Sequence, residues 1–450
     1  MAEIRREAIG ALMDRERERF VTDHPTSAKL FERAQEHLLA GVPMNWMVRW
    51  AGPFPIFARE GRGTYVTDVD GRRYLDLCLG DTGSMFGHSP RPVVDVAARQ
   101  LRRGITMMLP TEDSVWVGEE LSRRFGLPYW QVALSATDAN RFAIRLARDV
   151  TRRSKILVYN GCYHGTVDEA LVDLREGKVH PRHGNIGPPV DPSVTTKAIE
   201  FNDVEALERA LAPMDVACVL AEPAMTNRGI ILPGPGYHDA LREITRRTGT
   251  LLILDETHTI CCGPGGFTAV QGLEPDILTL GKPIASGIPA SAFGISEDVA
   301  RRIMEKVTAE STDESGIGGT LSGNALAMTA MRATLENVIT KEAFDRMMPL
   351  AERFETGVDR VIRENELPWH VVRLGVRIEY RFQKNVPRNG TEAEAGKDSE
   401  LDALIHLYAL NRRILLTPFH NMALISPFTR RADVDRHTRM LRDCVSELLT

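Results

Sequence analysis

From about residue 90 to residue 280, short apolar runs recur with helical patterns between them, and few architectures accommodate that rhythm. The strand candidates are Val132-Ala133-Leu134, Ile156 to Val158, Cys218 to Leu220, Leu251 to Leu254 and Ile277 to Leu280. Helical patterns at 92–104 and 114–125 precede them, and Val204 to Leu211 and Tyr237 to Thr248 lie between them, the former with Asp203 as N-cap. Strands alternating with helices predict a mostly parallel sheet covered on both faces. A chain of 450 residues is too long for one core, so additional domains are expected around that sheet.

The flanks read differently. Residues 4–38 are helical, interrupted at His24-Pro25-Thr26, and residues 56–78 alternate like a small antiparallel meander. After a Gly-rich stretch from Ser315 to Gly323, residues 324–365 form a long helical segment. Residues 375–382 alternate like a half-exposed strand, with Arg377 and Arg381 expected on a solvated face. The polar stretch 383–399 reads as a mobile surface loop, before a helix, a short strand and a final helix. The expected division is 1–75, an N-terminal helical segment and meander; 76–335, a large α/β domain; and 336–450, a small α+β domain.

Function collects at the carboxyl ends of strands in open α/β sheets, so the residues following each strand carry the chemistry. Asp255-Glu256 follows one strand and Gly281-Lys282-Pro283 the next. Ser135 to Ala139 opens a helix, Tyr159 to Gly165 includes Tyr163 and His164, and Glu222 follows Ala221. A lysine, a carboxylate, an aromatic ring and a helix N-terminus on one rim are the parts of a pyridoxal 5'-phosphate site. Partial desolvation frees a lysine amine for Schiff-base chemistry, and an aspartate facing the pyridine nitrogen makes the ring an electron sink. A helix N-terminus presents N–H groups and a dipole to phosphate.

Other chemistries find no support. No glycine pattern follows a strand as a nicotinamide fingerprint does, and no G-x-S-x-G elbow is present. The six cysteines show no zinc or CxxC spacing, and the adjacent Cys261-Cys262 pair is a poor chelate, so no metal is expected. A net charge of -5 without a polybasic arm favours neither nucleic acid nor an anionic membrane. The charged N-terminus and the lack of a long apolar run predict a soluble, cytoplasmic protein.

The order of these segments resembles the class III aminotransferases of fold type I, which include glutamate-1-semialdehyde aminomutase and the ω- and β-amino-acid transaminases. The resemblance runs from about residue 29 to the C-terminus, through AGVPMNWMVR, TDVDGRRYLDL, GHSPRPV, SATDANRFAIRLAR, GCYHG, AEP, LLILDE, EPDILTLGKPIASGIP and GGTLSGNALAMTA. It implies an α/β fold type I transferase with pyridoxal 5'-phosphate as cofactor, and it assigns roles by position. Lys282 is implied as the catalytic lysine holding the cofactor and shuttling the substrate proton. Asp255 is implied at the pyridine nitrogen, Tyr163 on the ring and Glu222 near the cofactor hydroxyl. Ala136 and Thr137 are implied to bind phosphate, and Thr320 to reach the neighbouring subunit's phosphate in a homodimer with shared active sites. Arg49 is implied at the substrate carboxylate, with Trp46 and Phe419 shaping the pocket.

Two departures stand out: Ala136 replaces the usual glycine of the phosphate motif, and Thr257 replaces the valine beneath the ring. His258 and His420 read as structural histidines, and His164 fits a structural hydrogen bond or a cofactor contact equally. The expected activity is a ping-pong transaminase passing the amino group of an amine, ω- or β-amino acid donor to a keto acid or ketone acceptor. The alternatives are glutamate-1-semialdehyde 2,1-aminomutase and a non-catalytic cofactor-binding homologue.

Overall fold

Seven strands with fully or largely apolar inner positions build the sheet that organises the chain. The computed structural model describes residues 4–305, 316–418 and 420–449. In chain order the strands are β1 (Tyr129–Ala133), β2 (Lys155–Tyr159), β3 (Thr196–Ile199), β4 (Val216–Ala221), β5 (Leu251–Asp255), β6 (Ile277–Leu280) and β7 (Ser291–Ile295). Their spatial order is β1-β7-β6-β5-β4-β2-β3. β7 runs antiparallel to both neighbours, and the pairings among β6, β5, β4, β2 and β3 are all parallel.

The central strands β4, β5 and β6 are buried at every residue, as a sheet covered on both faces requires. Sequence periodicity passes over β3 and β7. TKAI carries a lysine, and SAFGI is short and glycine-containing, so neither presents an apolar run long enough to stand out.

The helix α1 (Ala136–Thr151) leaves β1 almost at once. Its buried positions Ala139, Ala143, Ile144, Ala147 and Val150 follow helical spacing and face the sheet, with Asn140 as the polar exception. Ser135 caps it, accepting from the Asp138 N–H at 3.2 Å and donating to the Asp138 carboxylate at 2.8 Å.

The chain divides into two compact units. One comprises Arg91–Lys341 with Pro387–Ala395 and holds the seven-stranded sheet; the other comprises Met1–Pro90, Glu342–Val386 and Gly396–Thr450. The N-terminal segment and the C-terminal region, expected as separate parts, thus belong to one unit. Its four-stranded sheet shows how: Ile414–Leu415 pairs in parallel with Arg73–Asp76 at the edge of the N-terminal meander.

Three local expectations are corrected. The strand Arg377–Arg381 is central in a three-stranded sheet and almost wholly buried, with Arg377 only 1% exposed. Arg377 lies 3.8 Å from Asp81, Arg381 lies 3.8 Å from Glu379, and Glu379 accepts from His420 at 3.1 Å. Partnered charges make that burial tolerable. The presumed loop 383–399 contains the helix Gly390–Ala395, tied down by Glu200, whose carboxylate accepts from the Gly390 N–H at 3.1 Å and from the Thr391 hydroxyl at 2.5 Å. The segment 324–365 is two helices, Ala325–Asn337 and Lys341–Glu364.

Candidate active site

The carboxyl ends of β1, β2, β4, β5 and β6 deliver Ser135, Tyr163, Glu222, Asp255 and Lys282 from within the sheet-bearing unit. Asp255 is the last residue of β5 and is 4% exposed. Its Oδ2 accepts from His164 Nδ1 and from Asn140 Nδ2, each at 2.9 Å, and its Oδ1 accepts from the Thr257 N–H at 3.1 Å. A carboxylate has about four acceptor positions, so about one remains on Oδ1.

Burial opposes ionisation of Asp255, but the hydrogen bond and charge of His164 outweigh it and hold the carboxyl below its ordinary range. Burial likewise opposes charge on His164, and the Cys162 sulfur together with Asp255 overcomes it, holding the imidazole above its ordinary range. The pair is therefore a buried ion pair, with His164 Nε2 left without a hydrogen-bond partner.

Asn140 completes this arrangement. Besides Asp255 it donates to the His164 carbonyl at 3.2 Å, and its own carbonyl accepts from the Thr279 hydroxyl at 2.7 Å. Sequence reasoning missed both Asn140 and Thr279. The available signal was a lone amide inside the apolar stripe of α1, where a buried polar group requires partners.

Lys282 lies two residues past β6, with φ +50, a region sparsely used by residues other than glycine. Its Nζ is 2.8 Å from His258 Nε2. His258 is therefore a direct neighbour of the lysine, where the sequence suggested only a structural histidine. Glu222 is 3% exposed and accepts from the Thr226 hydroxyl at 2.5 Å. Burial raises its carboxyl above the ordinary range, against the opposing effects of His164 and Thr226. Tyr163 is half-buried, with the Arg182 guanidinium carbon 5.7 Å from its ring centroid.

At the N-terminus of α1, the Thr137 hydroxyl accepts from the Thr166 N–H at 3.1 Å. Gly165 has φ +80, and a Cβ there would collide with Thr137 Oγ1. Only glycine lets this loop close onto the helix end. The half-buried Ala136 and Thr137 N–H groups stand at the first turn, where no intrahelical acceptor exists.

These residues fit pyridoxal phosphate. Asp255 retains an acceptor position for a pyridinium N–H, Thr257 Oγ1 is buried without a partner, and the start of α1 is built for an anion. Thr320 is exposed and lines a different cavity of about 490 Å³, whose walls include Met107, Met108, Leu109 and Gln131 and none of the residues above. Trp46 and Arg49 lie on the 3-10 turn Asn45–Arg49 of the other unit, Trp46 half-buried and Arg49 exposed. Phe419 lies outside the described residues.

The sheet order, its single antiparallel strand and the strand-end site define a fold type I transferase of the pyridoxal-phosphate class. Within that class, the chain belongs to the class-III aminotransferases, whose sequence profile matches residues 46–445. It is similar to a glutamate-1-semialdehyde-aminomutase from Pseudomonas aeruginosa PAO1, with a TM-score of 0.97, 50% identity and 99% of each chain covered. A variant of that protein was solved in complex with PMP. The glutamate-1-semialdehyde 2,1-aminomutase of Thermomicrobium roseum is 34% identical over 439 residues, covering 94% of this chain and 98% of its own. An omega-transaminase from Sphaerobacter thermophilus has a TM-score of 0.84 at 28% identity, with 94% and 98% covered.

Proposed function

We propose that this chain is an aminomutase acting on glutamate 1-semialdehyde, moving the amino group from carbon 2 to carbon 1 of one substrate. The similarity to the Pseudomonas aminomutase over 99% of the chain carries the reading, and the aminomutases among the sequence relatives support it. This places first the activity that the sequence ranked second. The second reading, intermolecular transamination from an ω- or β-amino acid, draws support from the omega-transaminase of Sphaerobacter. A non-catalytic homologue is disfavoured, because Lys282, Asp255 and their partners form a complete set.

Pyridoxal phosphate is the cofactor, and when bound it supplies the carbonyl that exchanges amino groups and a ring that withdraws electrons. Lys282 Nζ would hold it and would move the proton between the substrate carbon and the cofactor carbon. The Asp255 carboxylate, kept anionic by His164, holds the proton on the ring nitrogen. Tyr163 would stack on the ring, and Thr257 would lie beneath it. Glu222, held by Thr226, stands near the cofactor's hydroxyl. The N–H groups of Ala136 and Thr137 and the Thr137 hydroxyl bind the phosphate. Arg49 binds the substrate carboxylate, with Trp46 and Phe419 shaping the pocket.

Two copies associate, with Thr320 of each reaching the other's phosphate. The exposed Met108 (72%), Leu109 (71%) and Leu321 (51%) provide apolar surface for that contact. The residues described include no helix long and apolar enough to cross a membrane.

The test is to supply glutamate 1-semialdehyde to the purified, yellow protein without added amine or keto acid. Isomerisation of the substrate, abolished in Lys282→Ala, is the expected result. Bleaching by an ω- or β-amino acid and recovery with pyruvate, without isomerisation, would move the assignment to the transaminases.

A further inference from the structure

The register of β5 and β6 has a chemical consequence. Asp255 pairs with Thr279 across the parallel strands, so the third residue beyond each is His258 after β5 and Lys282 after β6. Both strands then turn sharply, into the 3-10 segments Thr259–Cys262 and Lys282–Ala285. The facing side chains meet with Nε2 and Nζ 2.8 Å apart.

The turn bearing His258 is anchored on both sides. Asp255 is held by His164, Asn140 and the Thr257 N–H. Glu256, fully buried, accepts from the Thr259 hydroxyl at 2.5 Å and from the N–H groups of Phe267 at 3.1 Å and Thr268 at 2.5 Å. The His258 carbonyl accepts from the Cys261 N–H at 3.2 Å. Meanwhile the residue is half-buried, so it retains access to solvent. A fixed imidazole at hydrogen-bond distance from an amine, with an outlet to water, meets the geometric requirement for a proton acceptor.

We propose that His258 accepts the proton that Lys282 must lose before it can capture the cofactor's aldehyde, an inference that rests on the reading of Lys282 above. An N–H bond of the Lys282 ammonium breaks, and its electron pair stays on Nζ as the attacking lone pair. The proton goes to the lone pair on His258 Nε2. The amine and the aldehyde carbon then condense with loss of water, and Nε2 releases its proton to solvent.

The experiment follows capture of pyridoxal phosphate by the full-length enzyme stripped of cofactor, read as the growth of the yellow band in a stopped-flow instrument. His258→Ala should slow the saturating first-order rate about a hundredfold, the lower range for a positioned base, and added imidazole should restore it in proportion to concentration. His258→Gln, which keeps a hydrogen-bond acceptor without a basic nitrogen, should stay as slow as the alanine variant. If the alanine variant fails to fold, the glutamine variant carries the comparison, with its melting midpoint as control. Wild-type capture rates in His258→Gln would overturn the proposal and leave a hydrogen bond that only orients the lysine. Wild-type protein that forms no yellow band, or forms one equally in Lys282→Ala, would instead overturn the reading of Lys282.

Discussion

Replacing Asn140 by alanine tests whether one buried amide joins the fold to the site. The side chain is fully buried and spans three groups: the Asp255 carboxylate at 2.9 Å, the His164 carbonyl at 3.2 Å and the Thr279 hydroxyl at 2.7 Å. Loss of the hydrogen bond to a charged acceptor costs about 1.5–3 kcal/mol, and a buried hydroxyl left without its acceptor costs about 1–3 kcal/mol. Alanine is the better helix former and recovers roughly 0.6 kcal/mol. The net expectation is a destabilisation of about 3 kcal/mol. Urea unfolding of the cofactor-free protein, followed by fluorescence, measures it. The affinity for pyridoxal phosphate should fall in parallel, because Asp255 loses a donor that helps keep it anionic. Asn140→Asp should be worse for affinity, since it sets a second carboxylate against Asp255 Oδ2. A midpoint and affinity within experimental error of wild type in Asn140→Ala would refute this account of the site's support.

The remaining predictions concern the phosphate loop and the acid limb. Gly165→Ala places a side chain against Thr137 Oγ1 at φ +80, where an L-residue costs about 1–2 kcal/mol before any collision. Equilibrium titration should show cofactor affinity down at least about tenfold, with the circular dichroism spectrum unchanged. His437 is buried with neither ring nitrogen hydrogen-bonded, and burial pushes its imidazole down to about 3. Its folded value lies below the unfolded one, so its contribution is complete above about pH 6.5 and is lost as pH falls toward about 3. His406, pushed down to about 4 by burial, acts in the same direction. Between pH 6.5 and 5, wild type should lose about 2 kcal/mol more stability than His437→Phe, whose ring can pack on Phe354 as the imidazole does at 4.3 Å between centroids. Parallel acid limbs for the two proteins in urea titrations would count against a neutral buried His437.

The central strands were legible because their signals are local. VACVLA, LLILD and ILTL are apolar throughout, and the residues after each strand necessarily emerge at the sheet's carboxyl edge. Hence Asp255, Glu222 and Lys282 could be nominated before any coordinates. The constraint on Gly165, where a Cβ would meet Thr137, and the capping of α1 by Ser135 emerged only in the structure. The strands β3 and β7 were not legible either, since a four-residue strand with a lysine and a five-residue strand with a glycine carry little periodic information.

What a window of sequence cannot hold is partnership between distant segments. Arg377 looked solvated because its strand alternates charge with apolar residues, yet the covering of both faces buries it beside Asp81, nearly three hundred residues earlier. Asn140 is 115 residues from the carboxylate it steadies, and its role follows from where α1 crosses β5 and β6. The nature of the chemistry was set by residue types at strand ends. Which histidine faces which group was decided by strand order and register: the pairing of Asp255 with Thr279 sets His258 against Lys282, and the closure of the loop after β2 sets His164 against Asp255. Hydrogen bonds act over about 3 Å, and only the folded sheet brings residues so far apart in the chain within that reach.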